Sequence, residues 1–295
     1  MTRLADKAEI RRRLNQDREW SLYALADLDD GLFEHCDWLG CGDGLALVFR
    51  ALAIRPIFVI GDAAATRQLL AALPESSGYL NLKPHQLDAA CEVFEFRQRH
   101  EMRRMLLADF RPRVGATEPL TREDSGALER LFASGDGGGI AFAPFQMDNG
   151  FFRGIWRGGQ LVAAAGAQVV SRHEGVAAIG NIFTHPEFRG QGLAQIATSA
   201  VAAALRAAGI ETIGLNVADG NTAAARAYER VGFRTCFRYY EGPAVKKRPD
   251  APQASPHLDL VDLPLQFLGL KAAAPKAESR PAGEQSDERQ HVSQT

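Results

Sequence analysis

No run of apolar residues approaches the roughly 20 needed to cross a bilayer as a helix, so helical membrane proteins are excluded as a class. Cysteine is scarce. The four present, Cys36, Cys41, Cys91 and Cys236, are irregularly spaced in a chain of 295 residues, unlike the dense framework of small secreted domains. Reduced thiols and a cytoplasmic location are the expectation. His35, Cys36 and Cys41 have no second ligand pair at zinc spacing, so no metal site is expected. Basic charge is not in excess either: 34 Lys and Arg against 36 Asp and Glu leave a net charge of -2, which argues against nucleic acid as a partner. Walker loops, Gly-x-Ser-x-Gly elbows and His-Glu-x-x-His are all missing. Gly40-Cys41-Gly42-Asp43-Gly44 precedes a strand instead of opening a helix, so it is no dinucleotide fingerprint. The Arg-rich start, Met1 to Trp20, is interleaved with acids and lacks an apolar segment, reading as a solvated helix rather than a targeting peptide.

What is present is an alternation of helix and strand patterns. Leu45–Phe49 and Ile54–Ile60 read as strands, Asp62 caps a helix to Leu73, and Tyr79–Leu82, Pro84–Cys91 and Val93–Arg99 read as strand, helix and strand. A seam is expected at Arg111-Pro112-Arg113. Thr121 to Asp124 has capping-box spacing ahead of a helix to Phe132, and Gly135–Gly139 forms a loop. Phe152–Trp156 and Leu161–Val170 then form a hairpin pattern, followed by a strand at Val176–Thr184, a helix at Gln191–Ala208, a strand at Thr212–Val217, a helix at Thr222–Val231 and a strand at Phe233–Tyr240. The fold class is therefore α/β with a mixed sheet. It divides into an amino-terminal region 1–112, a second domain 113–242, and a tail 243–295 whose Pro, Ala, Lys and Ser content points to disorder, with Leu258–Leu270 as a stretch that could dock.

The most informative segment runs from Ala178 to Ala194. A strand passes into the turn His185-Pro186-Glu187-Phe188-Arg189-Gly190-Gln191-Gly192 and directly into a helix. Such a turn gathers unpaired N–H groups and the positive end of a helix dipole at one point, which suits a pyrophosphate. Glycine there permits dihedrals and close approach that a side chain would forbid, and Arg189 can add a charge-assisted contact. Further on, Asn221 and Tyr228 stand seven residues apart, two helical turns, and so share a helix face.

The order strand, Arg189-x-x-Gly192-x-Ala194, helix, strand, Asn221, helix with Tyr228, then Gly232-Phe233 resembles the GNAT superfamily of N-acetyltransferases over roughly 130 residues. Gly180 to Pro186, with the α/β amino-terminal region, is similar to a bacterial two-domain subgroup. The resemblance implies acetyl-CoA as cosubstrate and an amine acceptor as partner. It also implies that the backbone amides of Gly190, Gln191, Gly192, Leu193 and Ala194 hold the pyrophosphate, and that the strand Ile182-Phe183-Thr184 pairs with the pantetheine arm. On the same ground Ile182 N–H would polarise the thioester carbonyl, Asn221 would hold the arm from the other side, and Tyr228 would protonate the departing thiolate. Read from the residues alone, Tyr228 also suits a core position and Asn221 a helix N-cap.

No carboxylate occupies Ala177-Ala178-Ile179, where many such enzymes keep their general base. Asn181, expected to alternate with Ile179 and Phe183, could orient a water or be a satisfied sheet residue, and His185 and Glu187 are further candidates. Phe142, Phe145, Phe151, Tyr239 and Tyr240 could line an acceptor pocket or fill the core. Three functions fit: an N-acetyltransferase, a non-catalytic acyl-CoA-binding or sensing module, or an interaction protein using its amino-terminal region.

Overall fold

The computed structural model describes residues 1–52, 54–135 and 142–247. Gly137–Gly139 and the Leu258–Leu270 stretch lie outside the described residues. The amino-terminal half supplies β1 (Thr2–Leu4), α1 (Lys7–Leu14), α2 (Leu22–Ala26), β2 (Cys36–Cys41), β3 (Gly44–Phe49), β4 (Pro56–Ile60), α3 (Ala63–Ala72), β5 (Ser77–Leu82), α4 (Leu87–Val93), β6 (Phe94–Phe96) and β7 (His100–Leu107). The second half supplies β8 (Glu118–Pro119), α5 (Ser125–Ala133), β9 (Phe152–Arg157), β10 (Gln160–Ser171), β11 (Val176–Thr184), α6 (Leu193–Ala207), β12 (Thr212–Ala218), α7 (Thr222–Val231) and β13 (Phe233–Lys246).

One continuous mixed sheet joins the halves in the order β1-β2-β3-β4-β5-β13-β7-β12-β11-β10-β9-β8, with β6 also on β13. β7 precedes the seam expected at Arg111–Arg113, yet it is paired on one side with β12 and on the other with β13. β13 likewise continues to Lys246, pairing with β5 and β6 four residues into what composition suggests is tail. Four strands escape the sequence reading: the short β1 and β8, and the longer β2 and β7. β7 is interrupted by Arg103 and Arg104, and β2 is masked by its glycine and cysteines.

The two faces of the sheet are covered differently. On one, α6 and α7 pack Leu193, Ala197, Val201 and Val231 against Met105, Ile179, Leu215 and Phe233. On the other, α1 and α2 seat Ile10, Leu14, Leu22 and Leu25 with Met102, Ala178 and Tyr239, while α5 covers the β9–β10 end. The opening helix is thus more than a solvated element. Ile10 and Leu14 are fully buried, and Arg11 binds the buried carboxylate of Glu174 through Nε, 2.8 Å from Oε1. No helix of the described residues is long and apolar enough to cross a membrane.

Candidate active site

β11 and β12 run parallel and pair from Val176 opposite Thr212 to Ile179 opposite Leu215. Beyond that pair they separate. Residues 176–179 are buried, whereas 180–184 are partly exposed along their length, as are Asn216 and Ala218 on the facing strand. β11 stays attached to β10, with Phe183 opposite Ala164 and Thr184 opposite Ala163. His185 N–H donates to Val162 O on the β10 side at 2.8 Å. Backbone groups alternate sides along a strand, so Thr184 and Ile182 direct their N–H groups into the opening.

A bulge makes this possible. Between Ala164 and Gly166 the register slips by one residue, and Asn181 takes φ 51°, the one non-glycine residue of the described chain with positive φ. The alternation expected for Asn181 is therefore broken. Its Nδ2 donates to Gln146 Oε1 at 3.1 Å, and Gln146 lies in the 3-10 turn Pro144–Asn149.

The turn into α6 is built for exposed donors. Gly190 (φ 80°) and Gly192 (φ 77°) both adopt left-handed backbone, and an added Cβ on either would meet nothing within 4 Å, so the requirement is conformational rather than steric. Among the described residues the N–H groups of Gly190, Gln191, Gly192, Leu193 and Ala194 have no acceptor; the first bonds of the helix, from Gln195 and Ile196, go to Gly192 O. Five successive donors thus stand free beside the opening. Arg189, expected to reach toward the same point, instead donates from Nε to Thr184 O at 3.3 Å and lies over the Phe183 ring at 5.8 Å. His185 is used locally, its Nδ1 accepting from Glu187 N–H at 3.3 Å.

α7 carries the remaining pair. Asn221 is its N-cap, its Oδ1 accepting from Ala224 N–H at 3.1 Å. Asp219 ties the preceding turn to Arg103 and Arg238 at 2.5 and 2.8 Å, and these hydrogen bonds hold its carboxyl below the usual range. Tyr228 is 7% exposed, its ring edge-on to Phe233 at 6.5 Å, and among the described residues its hydroxyl has no hydrogen-bond partner. Burial raises its pKa, so the phenol stays a neutral donor across physiological pH.

Several expected pocket aromatics are structural: Phe151 and Tyr239 are buried, and Phe142 packs on Phe132 at 5.6 Å, whereas Phe145 is exposed. Residues that sequence reasoning missed gather on the α2 side of the opening. Tyr23 OH donates to Gln168 Oε1 at 2.9 Å, Asn216 Nδ2 reaches Tyr23 OH at 3.4 Å, and Arg104 Nε donates to Asn216 Oδ1 at 2.6 Å. One signal was available: Arg104 alternates with Met102 and Leu106, which places a charge on an apolar strand face. Cavities of about 490 Å³ beside Phe110 and Arg206, and of about 320 Å³ beside Leu39 and Glu75, are lined by other residues. The free amides and the splayed strands, which offer backbone donors, make this cleft the candidate site instead.

The GNAT acetyltransferase family model matches residues 102–233. No curated protein matches the chain in sequence. Among solved structures, a Drosophila protein is 14% identical, with a TM-score of 0.59, over 85% of this chain and 99% of its own. A GCN5-related N-acetyltransferase from Sphaerobacter thermophilus is 15% identical, with a TM-score of 0.56, over 84% and 95%. Another from Kribbella flavida is 18% identical, with a TM-score of 0.55, over 78% and 94%. These likenesses concern the fold. The family model begins inside β7, the strand that completes the sheet between β12 and β13, and it is residues 102–233 of this chain that match the GNAT acetyltransferase family.

Proposed function

We propose that the protein transfers an acetyl group from acetyl-CoA to a primary amine. The observation that carries this reading is the set of five amides from Gly190 to Ala194, free among the described residues, next to a strand edge with no partner among them. A helix N-terminus with free donors favours a pyrophosphate, and an open strand edge favours an extended amide-bearing arm such as pantetheine. In this reading Ile182 and Thr184 pair with the arm, Ile182 N–H donates to the thioester oxygen as negative charge develops, and Tyr228 gives a proton to the departing thiolate. Asn221 borders the arm from α7 while capping that helix. Arg189 acts through the Thr184–Phe183 strand end rather than at the pyrophosphate. Four free cysteines fit a reducing, cytoplasmic location.

A second reading, an acyl-CoA-binding module without turnover, draws on the absence of a carboxylate at Ala177-Ala178-Ile179. Calorimetry with acetyl-CoA tests both, and CoA release on adding amines separates them. Binding without release across a broad amine panel selects the second reading; no binding removes both.

A further inference from the structure

Arg104 is 4% exposed and lies on β7 directly opposite Asn216, the first β12 residue past the last β11–β12 pair. Its guanidinium is surrounded by the rings of Tyr23, Phe237 and Tyr239 at 5.1, 5.9 and 5.8 Å. Its protein acceptors are neutral: Nε donates to Asn216 Oδ1 and Nη1 to Glu19 O at 3.0 Å. No carboxylate of the described residues lies within 4.0 Å of it. Glu241, buried on the same sheet, feels the Arg104 charge from beyond contact distance and is engaged by the Tyr239 hydroxyl at 2.8 Å, and burial outweighs both to shift that carboxyl toward its neutral form.

A buried guanidinium usually has an anionic partner, because desolvating a charge costs several kcal/mol that neutral hydrogen bonds recover only in part. Here Nη2 has no protein acceptor among the described residues and is not sealed from solvent. Its place is equally specific. Arg104 shares the face of Met102 and Leu106, covered by α2 and opposite the face packed by α6. A cosubstrate seated at the α6 turn would present its thioester from one side of the splayed strands, leaving the α2 side to the amine. Gln168, bound to Tyr23, crosses Gly180 at the branch so closely that a methyl there would stand 2.3 Å from its Cδ.

We infer that the acceptor is an amino acid or a similar amine with a nearby carboxylate, and that Arg104, beside Asn216 and Tyr23, binds that carboxylate. This rests on the acetyltransferase reading and names its substrate class. Guanidinium matches a carboxylate by paired N–H donors in one plane, and in a desolvated site such a contact discriminates strongly against an analogue lacking it.

The test compares matched pairs in the full chain with acetyl-CoA, following CoA release: glycine with methylamine, leucine with isoamylamine, phenylalanine with phenethylamine. At least one amino acid should exceed its decarboxylated partner in kcat/KM by about 10- to 100-fold, as expected for loss of one charge-assisted hydrogen-bonded contact. Arg104→Met should erase that preference by raising KM for the amino acid, with acetyl-CoA affinity by calorimetry unchanged, and Arg104→Lys should restore part of it. Because Arg104 is buried and either variant can misfold, the wild-type comparison tests the substrate class by itself, and a variant that still binds acetyl-CoA tests the part played by Arg104. If acetyl-CoA binds and no amino acid is preferred over its partner, or a variant that binds acetyl-CoA keeps the full preference, the carboxylate role of Arg104 is wrong. If acetyl-CoA fails to bind, the underlying functional reading fails first.

Discussion

Ile179 of β11 lies opposite Leu215 of β12, and this is the last pair before the two strands part. Everything proposed for the site follows from that point: the unpaired edge at Ile182 and Thr184, the free amides that follow, and the polar side chains on the α2 side.

Replacing Gly192 with Val should abolish acetyl-CoA binding. The residue has φ 77° with open space around it, so the penalty is a left-handed β-branched residue, about 1–2 kcal/mol, small enough for the fold to survive. Calorimetry together with a thermal melt checks this. Wild-type affinity in a folded Val variant would remove the pyrophosphate role of the turn.

Tyr228→Phe keeps the ring against Phe233 and removes only the hydroxyl. Since that hydroxyl has no protein partner among the described residues, stability should change by less than about 0.5 kcal/mol. The single-turnover rate of acetyl transfer should fall about ten- to a thousandfold with acetyl-CoA affinity little altered, the pattern of a contact made in the transition state. An unchanged single-turnover rate would leave Tyr228 as a packing residue.

Asp27, half-buried at the end of α2, has its carboxyl pushed up to about 7 by burial and then by the charge of Asp29. The folded chain therefore keeps this proton up to about pH 7, while the unfolded chain loses it near 4. Between those values the native state binds more protons, so this group lowers stability as pH rises, by at most about 1.4 kcal/mol per pH unit. Asp27→Asn should be progressively favoured over wild type from pH 5 to pH 7.5 in urea denaturation. Glu9, whose carboxyl Arg12 and Arg13 hold at about 2, is present in both proteins, so its own titration cancels in the comparison. Parallel pH profiles for the two proteins would contradict the shift.

Ending the chain after Lys247 should leave acetyl-CoA affinity intact, whereas ending it after Glu241 should destabilise the fold. The second cut removes Gly242–Val245 from β5 and the Lys246 ammonium from the carbonyls of Ala71 and Leu73, 2.7 and 2.6 Å away. A loss of several degrees in Tm is expected, since about 1 kcal/mol moves Tm by roughly 2–4 °C in a chain of this size. Equal melting of the two truncations would show that the end of β13 contributes nothing.

Much of this was legible in the chain itself because it depends on local chemistry. Gly190 and Gly192 declare a turn that needs left-handed backbone, Asp62 and Asn221 declare helix starts, and the spacing of Tyr228 from Asn221 declares a shared helix face. Those features are set within a few residues, where dihedral preference and capping dominate. Long-range pairing decided the rest. Nothing in His100–Leu107 announces that it will insert between β12 and β13, because Arg103 and Arg104 weaken the strand pattern and their partners, Asp219 and Asn216, lie more than a hundred residues away. The bulge at Asn181 is equally silent, since a one-residue register slip is a property of two strands rather than of either one. The surroundings of Arg104 likewise exist only once α2 has folded across the sheet and excluded water from a charge that the sequence alone would place on the surface.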